Sequence, residues 1–152
     1  MLLEVIHEDC IITQASAKDW REVGRMAGQL LVDKGIVEPG YIEAALAAVE
    51  KFGMYIVVAP GIALFHSRPE DGVKAVGLSL VTLRDGVNFG VEGKDPVRLA
   101  FALAAVDNEA HLGLLAGLSA VLQDAELVAS LMEAESPGAV VDLLKTKLQG
   151  EA

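Results

Sequence analysis

The chain has 152 residues, a length typical of one domain with a sizeable core, and a formal net charge of −10. This acidic balance argues against nucleic acid and anionic membranes as partners, because their phosphates would repel the surface, and it favours a basic protein partner. The single cysteine, Cys10, excludes an intrachain disulfide and a cysteine metal cluster, and it favours a reducing cytoplasm.

The composition predicts a single α/β domain over residues 1–152. Hydrophobic residues make up 53% of the chain and aromatic residues only 5%, so the interior consists mainly of aliphatic side chains. The N-terminus is acidic where a signal peptide would be basic, and no apolar run approaches the roughly 20 residues that span a bilayer. We therefore expect a cytoplasmic protein with no direct membrane insertion.

The first third of the chain contains two helical patterns followed by a strand. Apolar positions recur at helical spacing over residues 20–31, with Ser16 as the predicted cap and Gly35 as the stop. Residues 39–53 form a second pattern, opened by a proline and closed by a glycine. The short β-branched run at 55–59 predicts a buried strand.

Two longer strands are predicted farther along, over residues 76–83 and 98–106. Between them, Asp85 and Gly86 form a turn signal that predicts a short hairpin return over residues 87–91.

The last third of the chain is helical. Asp107 or Asn108 caps a helix whose leucines continue to Leu122. Two further helices are predicted over residues 124–133 and 137–148, separated by a Ser-Pro-Gly break.

His66 is the first candidate functional residue, because it ends an apolar run and begins a turn rich in charge, proline and glycine. Neutral imidazole can accept and return a phosphoryl group or a proton. Arg68 supplies a permanent cation, Ser67 a hydroxyl donor, and the turn can aim backbone N–H groups at an anion. These neighbouring groups favour phosphoryl transfer over proton transfer as the role of His66.

His111 lies in the first turn of the helix that follows the strand at 98–106. If this strand and the one before His66 are parallel neighbours, both imidazoles reach the sheet edge where open α/β folds bind ligands. We expect one imidazole to react and the other to assist it electrostatically. A metal hydrolase using His66, His111 and Asp107 as ligands is a rival hypothesis.

The chain resembles the enzyme IIA components of the sugar phosphotransferase system, in the mannitol/fructose superfamily, and most closely the ascorbate-type branch. The resemblance is collinear and covers nearly the whole chain. It rests on the Trp20 helix, Phe52-Gly53, Ala59-Pro60-Gly61, the run from His66-Ser67-Arg68-Pro69 to Val73, Ser79-Leu80-Val81-Thr82-Leu83, Asp95-Pro96-Val97, Ala104-Ala105-Val106-Asp107 and His111.

The resemblance implies a mixed sheet of about five strands with helices on both faces. It also implies that His66 accepts phosphate from a histidine phosphocarrier protein and passes it to a cysteine of a IIB component. A membrane IIC transporter is then an indirect partner, and His111 supports the phosphoryl group. No cofactor is expected, because neither a dinucleotide fingerprint nor a P-loop occurs. Whether the chain forms a homo-oligomer is left open.

Two departures from the family pattern concern the site. The mannitol branch carries a phosphate-binding arginine near the end of the second helix, where this chain has Val49-Glu50-Lys51, so Arg68 is the candidate substitute. The family usually has Pro-His-Gly around the reactive histidine, where this chain has Phe65-His66-Ser67. This exchange changes the turn, and it keeps a second hypothesis open, a phosphorylation-sensitive regulatory module. For docking we expect a small apolar rim that includes Leu64 and Phe65.

Overall fold

The computed structural model describes residues 2–149, and its centre is a mixed five-stranded sheet. The strands lie in the order β1, β4, β5, β3, β2. The pairs β1–β4 and β3–β5 are parallel, whereas β4–β5 and β2–β3 are antiparallel. The strands are β1 Ile11–Ala15, β2 Val57–Ala59, β3 Ile62–Phe65, β4 Gly77–Val87 and β5 Val97–Ala104.

Helices cover both faces of this sheet, as the resemblance implied. Helices α2 and α3 pack on one face, and α1, α4, α5 and α6 pack on the other. Short 3-10 helices span Glu8–Cys10 and Pro69–Asp71. The α-helices are α1 Leu2–Val5, α2 Trp20–Asp33, α3 Pro39–Phe52, α4 Asn108–Leu122, α5 Ala125–Glu133 and α6 Pro137–Gln149.

Strand β5 shows why the two layers differ. Its side chains alternate between faces, small toward α2 and α3 and large toward the other helices. The small set is Ala100, Ala102 and Ala104, and the large set is Leu99, Phe101 and Leu103. The alanines let helix α2 approach the sheet closely. Gly24 of α2 is required there, since a Cβ at this position would lie 2.7 Å from the Phe65 ring.

Two local predictions were wrong, and one strand was missed. The cap of α2 is Asp19, which accepts from the Glu22 N–H at 2.9 Å, rather than Ser16. The predicted hairpin at Asp85-Gly86 is absent, because β4 continues through it and Val87 pairs with Val97 of β5. Strand β1 was not predicted.

Among the described residues, no single helix is long and apolar enough to cross a membrane. Helices α4 and α5 would reach that length and composition only together, and they meet at a bend of 90°.

Candidate functional site

An open cleft of about 660 Å³ lies at the edge of the sheet where strands β3 and β5 end. The parallel pairing of these strands, with Phe65 opposite Ala102, brings their C-terminal ends to the same edge. The predicted site residues His66, Ser67, Arg68 and His111 all line this cleft. Its other lining residues come from α3 and the segment after it, from the turn after β3, and from the end of β5 through the start of α4: Ala44, Ala47, Ala48, Lys51, Phe52, Tyr55, Pro69, Asp71, Leu103, Ala105, Asp107 and Asn108.

His66 is half-buried at the floor of the cleft, one residue after the last pair of β3. Its Nδ1 atom lies 3.3 Å from the carbonyl oxygen of Leu64. In a neutral ring this contact is a hydrogen bond only when Nδ1 carries the hydrogen. Nε2 is then left with a free lone pair. The ring of Tyr55 meets the imidazole edge-on, with 5.8 Å between ring centroids.

Burial lowers the pKa of His66 below its ordinary value of about 6.5, and the neighbouring His111 acts in the same direction. The hydrogen bond to Leu64 opposes both effects. The imidazole is therefore neutral at physiological pH, which is the state in which Nε2 is a nucleophile.

This shift predicts a measurable titration. The His66 signal in NMR, assigned by its loss in His66→Gln, should titrate with a midpoint below 6.5. Because the unfolded chain binds this proton more readily, the free energy of unfolding should fall as pH drops through 6.5 toward the folded-state pKa. The His66→Gln variant should lose less stability over that window. A midpoint at or above 6.5 would contradict the prediction.

His111 faces His66 across the cleft, with 5.9 Å between the two ring centroids and 46° between the ring planes. Its helix begins at the cap Asp107, whose carboxylate accepts from the Ala110 N–H at 2.8 Å. Asp107 was one of the two predicted caps, so this prediction is confirmed. Both rings line the cleft, so a phosphoryl group carried by one would lie close to the other.

Ser67, Arg68 and Asp71 form a small network on one wall of the cleft. The Ser67 hydroxyl donates to Asp71 Oδ2 at 2.5 Å, and the Arg68 N–H donates to the same oxygen at 3.3 Å. The Arg68 guanidinium lies 3.7 Å from this carboxylate and is 76% exposed. The hydrogen bond from Ser67 lowers the pKa of Asp71, so the carboxylate stays ionised. Arg68 can move toward an anion at little cost, whereas Ser67 must first leave Asp71.

Tyr41 is a site residue that sequence reasoning missed. Its hydroxyl donates to the Leu103 carbonyl at 2.6 Å and accepts from the Ser67 N–H at 2.9 Å. Burial raises the pKa of this phenol, so the hydroxyl keeps its hydrogen. In the sequence Tyr41 is one of several apolar positions on the second helix, and no local signal distinguishes it.

The predicted apolar rim has different members. Leu64 and Phe65 are buried on opposite faces of the sheet, because β3 is covered by helices on both sides. Phe52 and Tyr55 line the cleft instead, and they are 69% and 44% exposed. We refer to Phe52 and Tyr55 as the rim.

The rival metal hypothesis has no support in the arrangement of the side chains. Within residues 2–149, His66, His111 and Asp107 do not form a cluster that could hold a metal ion, and no other group of three or more such ligands does.

Solved structures with the same fold fix the class of protein. The chain is similar to the cryptic mannitol-specific phosphotransferase enzyme IIA of Escherichia coli, with a TM-score of 0.85 and 34% identity over 95% of this chain and 98% of that one. It is also similar to the E. coli mannitol enzyme IIA solved in complex with phosphorylated enzyme IIB, with a TM-score of 0.80 and 30% identity over 91% and 95% of the two chains. The chain therefore has the fold of the mannitol-type IIA domains.

The family follows from the sequence match over most of the chain. The profile of the phosphoenolpyruvate-dependent sugar phosphotransferase system EIIA 2 family matches residues 4–147, and the chain belongs to this family. Among its relatives is the ascorbate-specific PTS system EIIA component of Salmonella choleraesuis (strain SC-B67), 48% identical over 98 residues. That alignment spans 64% of this chain and 64% of the relative's length.

Proposed function

We propose that this chain is the IIA phosphocarrier of a sugar phosphotransferase system with an ascorbate-like substrate. It accepts a phosphoryl group on His66 from the histidine phosphocarrier protein and passes it to a cysteine of a IIB component. The observation that carries the proposal is the pair of imidazoles 5.9 Å apart in an open cleft, one of them held neutral with Nε2 free.

In the proposed step, the Nε2 lone pair of His66 forms a bond to phosphorus while the bond between phosphorus and the carrier's imidazole breaks. Nδ1 keeps its hydrogen and its bond to the Leu64 carbonyl throughout, so no proton has to leave the site. The phosphoryl oxygens bring negative charge into the cleft. His111 and Arg68 are the nearby groups that can donate to them, with Ser67 as a third donor once it leaves Asp71. A IIB thiolate then attacks the same phosphorus and restores neutral His66.

The partners and the setting are supported by chemistry and by the relatives. The phosphorylated IIB bound to the mannitol enzyme IIA supports a IIB component as acceptor. An ascorbate-like substrate is supported by the ascorbate-specific relative. We place the chain in the cytoplasm, where the phosphocarrier protein would meet it, with a membrane IIC component as an indirect partner.

The defining experiment is reconstitution of the relay. The chain is incubated with phosphoenolpyruvate, enzyme I and the phosphocarrier protein, and acid-labile phosphate on it is measured. We expect stoichiometric histidine-linked phosphate, and its absence would refute the proposal. Adding the IIB component tests the transport role, since a transport component passes the label on. Label that stays on the chain would favour the regulatory module instead.

The rim supplies a prediction about docking. Phe52→Ser should raise the KM for the phosphocarrier protein about tenfold while leaving kcat nearly unchanged, because burying a phenylalanine contributes about 1.5–3 kcal/mol. The matched control is Val58→Ser, a hydrophobic residue that is 45% exposed but does not line the cleft. Steady-state labelling at varied carrier concentration measures both constants. Equal KM values for the two variants would contradict the role of the rim.

A further inference from the structure

Tyr41 connects the two chain segments that carry the histidines. It lies in the first turn of α3, and its side chain is only 3% exposed. Its hydroxyl bonds the N–H of Ser67, the residue next to His66, and the carbonyl of Leu103 near the end of β5. A second contact, 3.2 Å to the Ser67 carbonyl, competes for the single hydroxyl hydrogen, and the shorter bond to Leu103 takes it.

The position of His66 depends on this connection, because the sheet does not hold it. The ladder between β3 and β5 ends at Phe65 opposite Ala102, so His66 is the first residue beyond it. On one side the imidazole is fixed through Leu64, and on the other the backbone N–H of Ser67 is held by the Tyr41 hydroxyl. Leu103 leads within a few residues to Asp107, the cap of the helix that carries His111.

We infer that Tyr41 is a positioning residue whose hydroxyl sets the placement of the His66 ring relative to Leu64 and to His111. This inference rests on the proposed function for its effect on rate. The phenol never touches the phosphoryl group; it holds the Ser67 N–H and the end of β5 at a fixed separation. A misplacement of the nucleophile by about 1 Å is enough to lower a transfer rate substantially.

The test is Tyr41→Phe, which removes the hydroxyl and keeps the ring in the core. Two quantities are measured: the tautomer ratio of His66 by nitrogen-15 NMR, and the rate of phosphoryl transfer from the phosphocarrier protein. We expect the tautomer with hydrogen on Nδ1 to dominate in the unaltered chain and to lose that dominance in the variant. The transfer rate should fall about tenfold.

The matched control is Thr82→Val, which also removes a buried hydroxyl, one that accepts from the Gln14 N–H at 2.9 Å. This variant should lose stability but leave the His66 tautomer and the transfer rate unchanged. Amide exchange at Ser67 in the unaltered chain is independent of any variant's folding, and it should be slow. Fast exchange at Ser67, or an unchanged tautomer ratio in Tyr41→Phe, would overturn the inference.

The two measurements separate this inference from the proposed function. The tautomer ratio needs no phosphoryl donor, so it tests Tyr41 even if the unaltered chain takes up no phosphate. If the unaltered chain takes up no phosphate but the His66 tautomer ratio shifts in Tyr41→Phe, the proposed function is refuted and the positioning role is supported. If the unaltered chain and Tyr41→Phe take up phosphate at equal rates, the positioning role is refuted and the proposed function stands.

Discussion

Replacing His66 with alanine should abolish phosphoryl acceptance, with a loss of roughly a thousandfold or more in the rate of labelling. His66 is the group that would form the covalent bond to phosphorus, and no second side chain can replace it in that position. Its ring is half-buried, so alanine leaves an opening at the floor of the cleft without removing a member of the main core. We expect the variant to remain folded, as circular dichroism can verify.

The matched control for this experiment is His7→Ala. His7 is exposed and does not line the cleft, so this variant should accept phosphate at the unaltered rate. Quantifying acid-labile phosphate on both variants separates the loss of a reactive imidazole from the loss of any histidine. If His66→Ala still becomes labelled at an appreciable rate, another residue carries the phosphate and the proposed function of the cleft is wrong.

Replacing His111 with alanine should slow transfer about 100-fold without removing the site of attachment. The ring of His111 faces that of His66 at 5.9 Å and can donate a hydrogen bond to an anionic oxygen of the transferring phosphoryl group. Label should therefore still collect on His66 at long times. Rapid-quench measurement of the first turnover distinguishes this slow but complete reaction from the inactive His66→Ala chain.

Helix α4 provides the control for this second variant. Ser119 lies on the same helix, is exposed and does not line the cleft. The transfer rate of Ser119→Ala should therefore equal that of the unaltered chain. A rate for His111→Ala within about threefold of the unaltered chain would show that His111 does not stabilise the transferring group. If phosphate is found on His111 in the His66→Ala variant, His111 is the phosphorylated residue and His66 is the one that assists it.

The helices illustrate what a local pattern can predict. Residues 20–31 and 39–53 have apolar side chains at helical spacing with clear stop signals, and α2 and α3 follow them within a few residues. The cap was misplaced because Ser16 and Asp19 both have suitable side chains, and only the path of the chain leaving β1 decides between them.

The strands show where local patterns fail. Strand β1 has only five residues, and Gln14 within it has a φ of 55°, so it lacks a regular alternation. It is a strand because β4 offers a parallel partner, which is information from a distant part of the chain. The Asp85-Gly86 signal is overridden in the same way, since Gly86 takes a φ of 76° within the long strand β4 and no reversal follows.

The site residues also separate into those that the sequence predicts and those that only the structure reveals. The kinds of side chain needed for phosphoryl transfer, and the placement of His66 and His111 after strands, were evident from residue order. Residue order could not show that Leu64 and Phe65 belong to the core, because the apolar residues before the histidine are buried only when helices cover both faces of their strand. The same holds for Tyr41, whose hydroxyl acquires a role only when β5 and the segment after β3 converge on it.

The sequence by itself determined the α/β class, most helices, the family resemblance and the two imidazoles, because these depend on side-chain chemistry and on spacing along one element. Tertiary structure alone decided that β3 and β5 are parallel neighbours and that the histidine rings lie 5.9 Å apart. It also decided which hydrophobic residues remain exposed. The physical reason is that burial and strand pairing arise between residues far apart in the chain, where local periodicity carries no information.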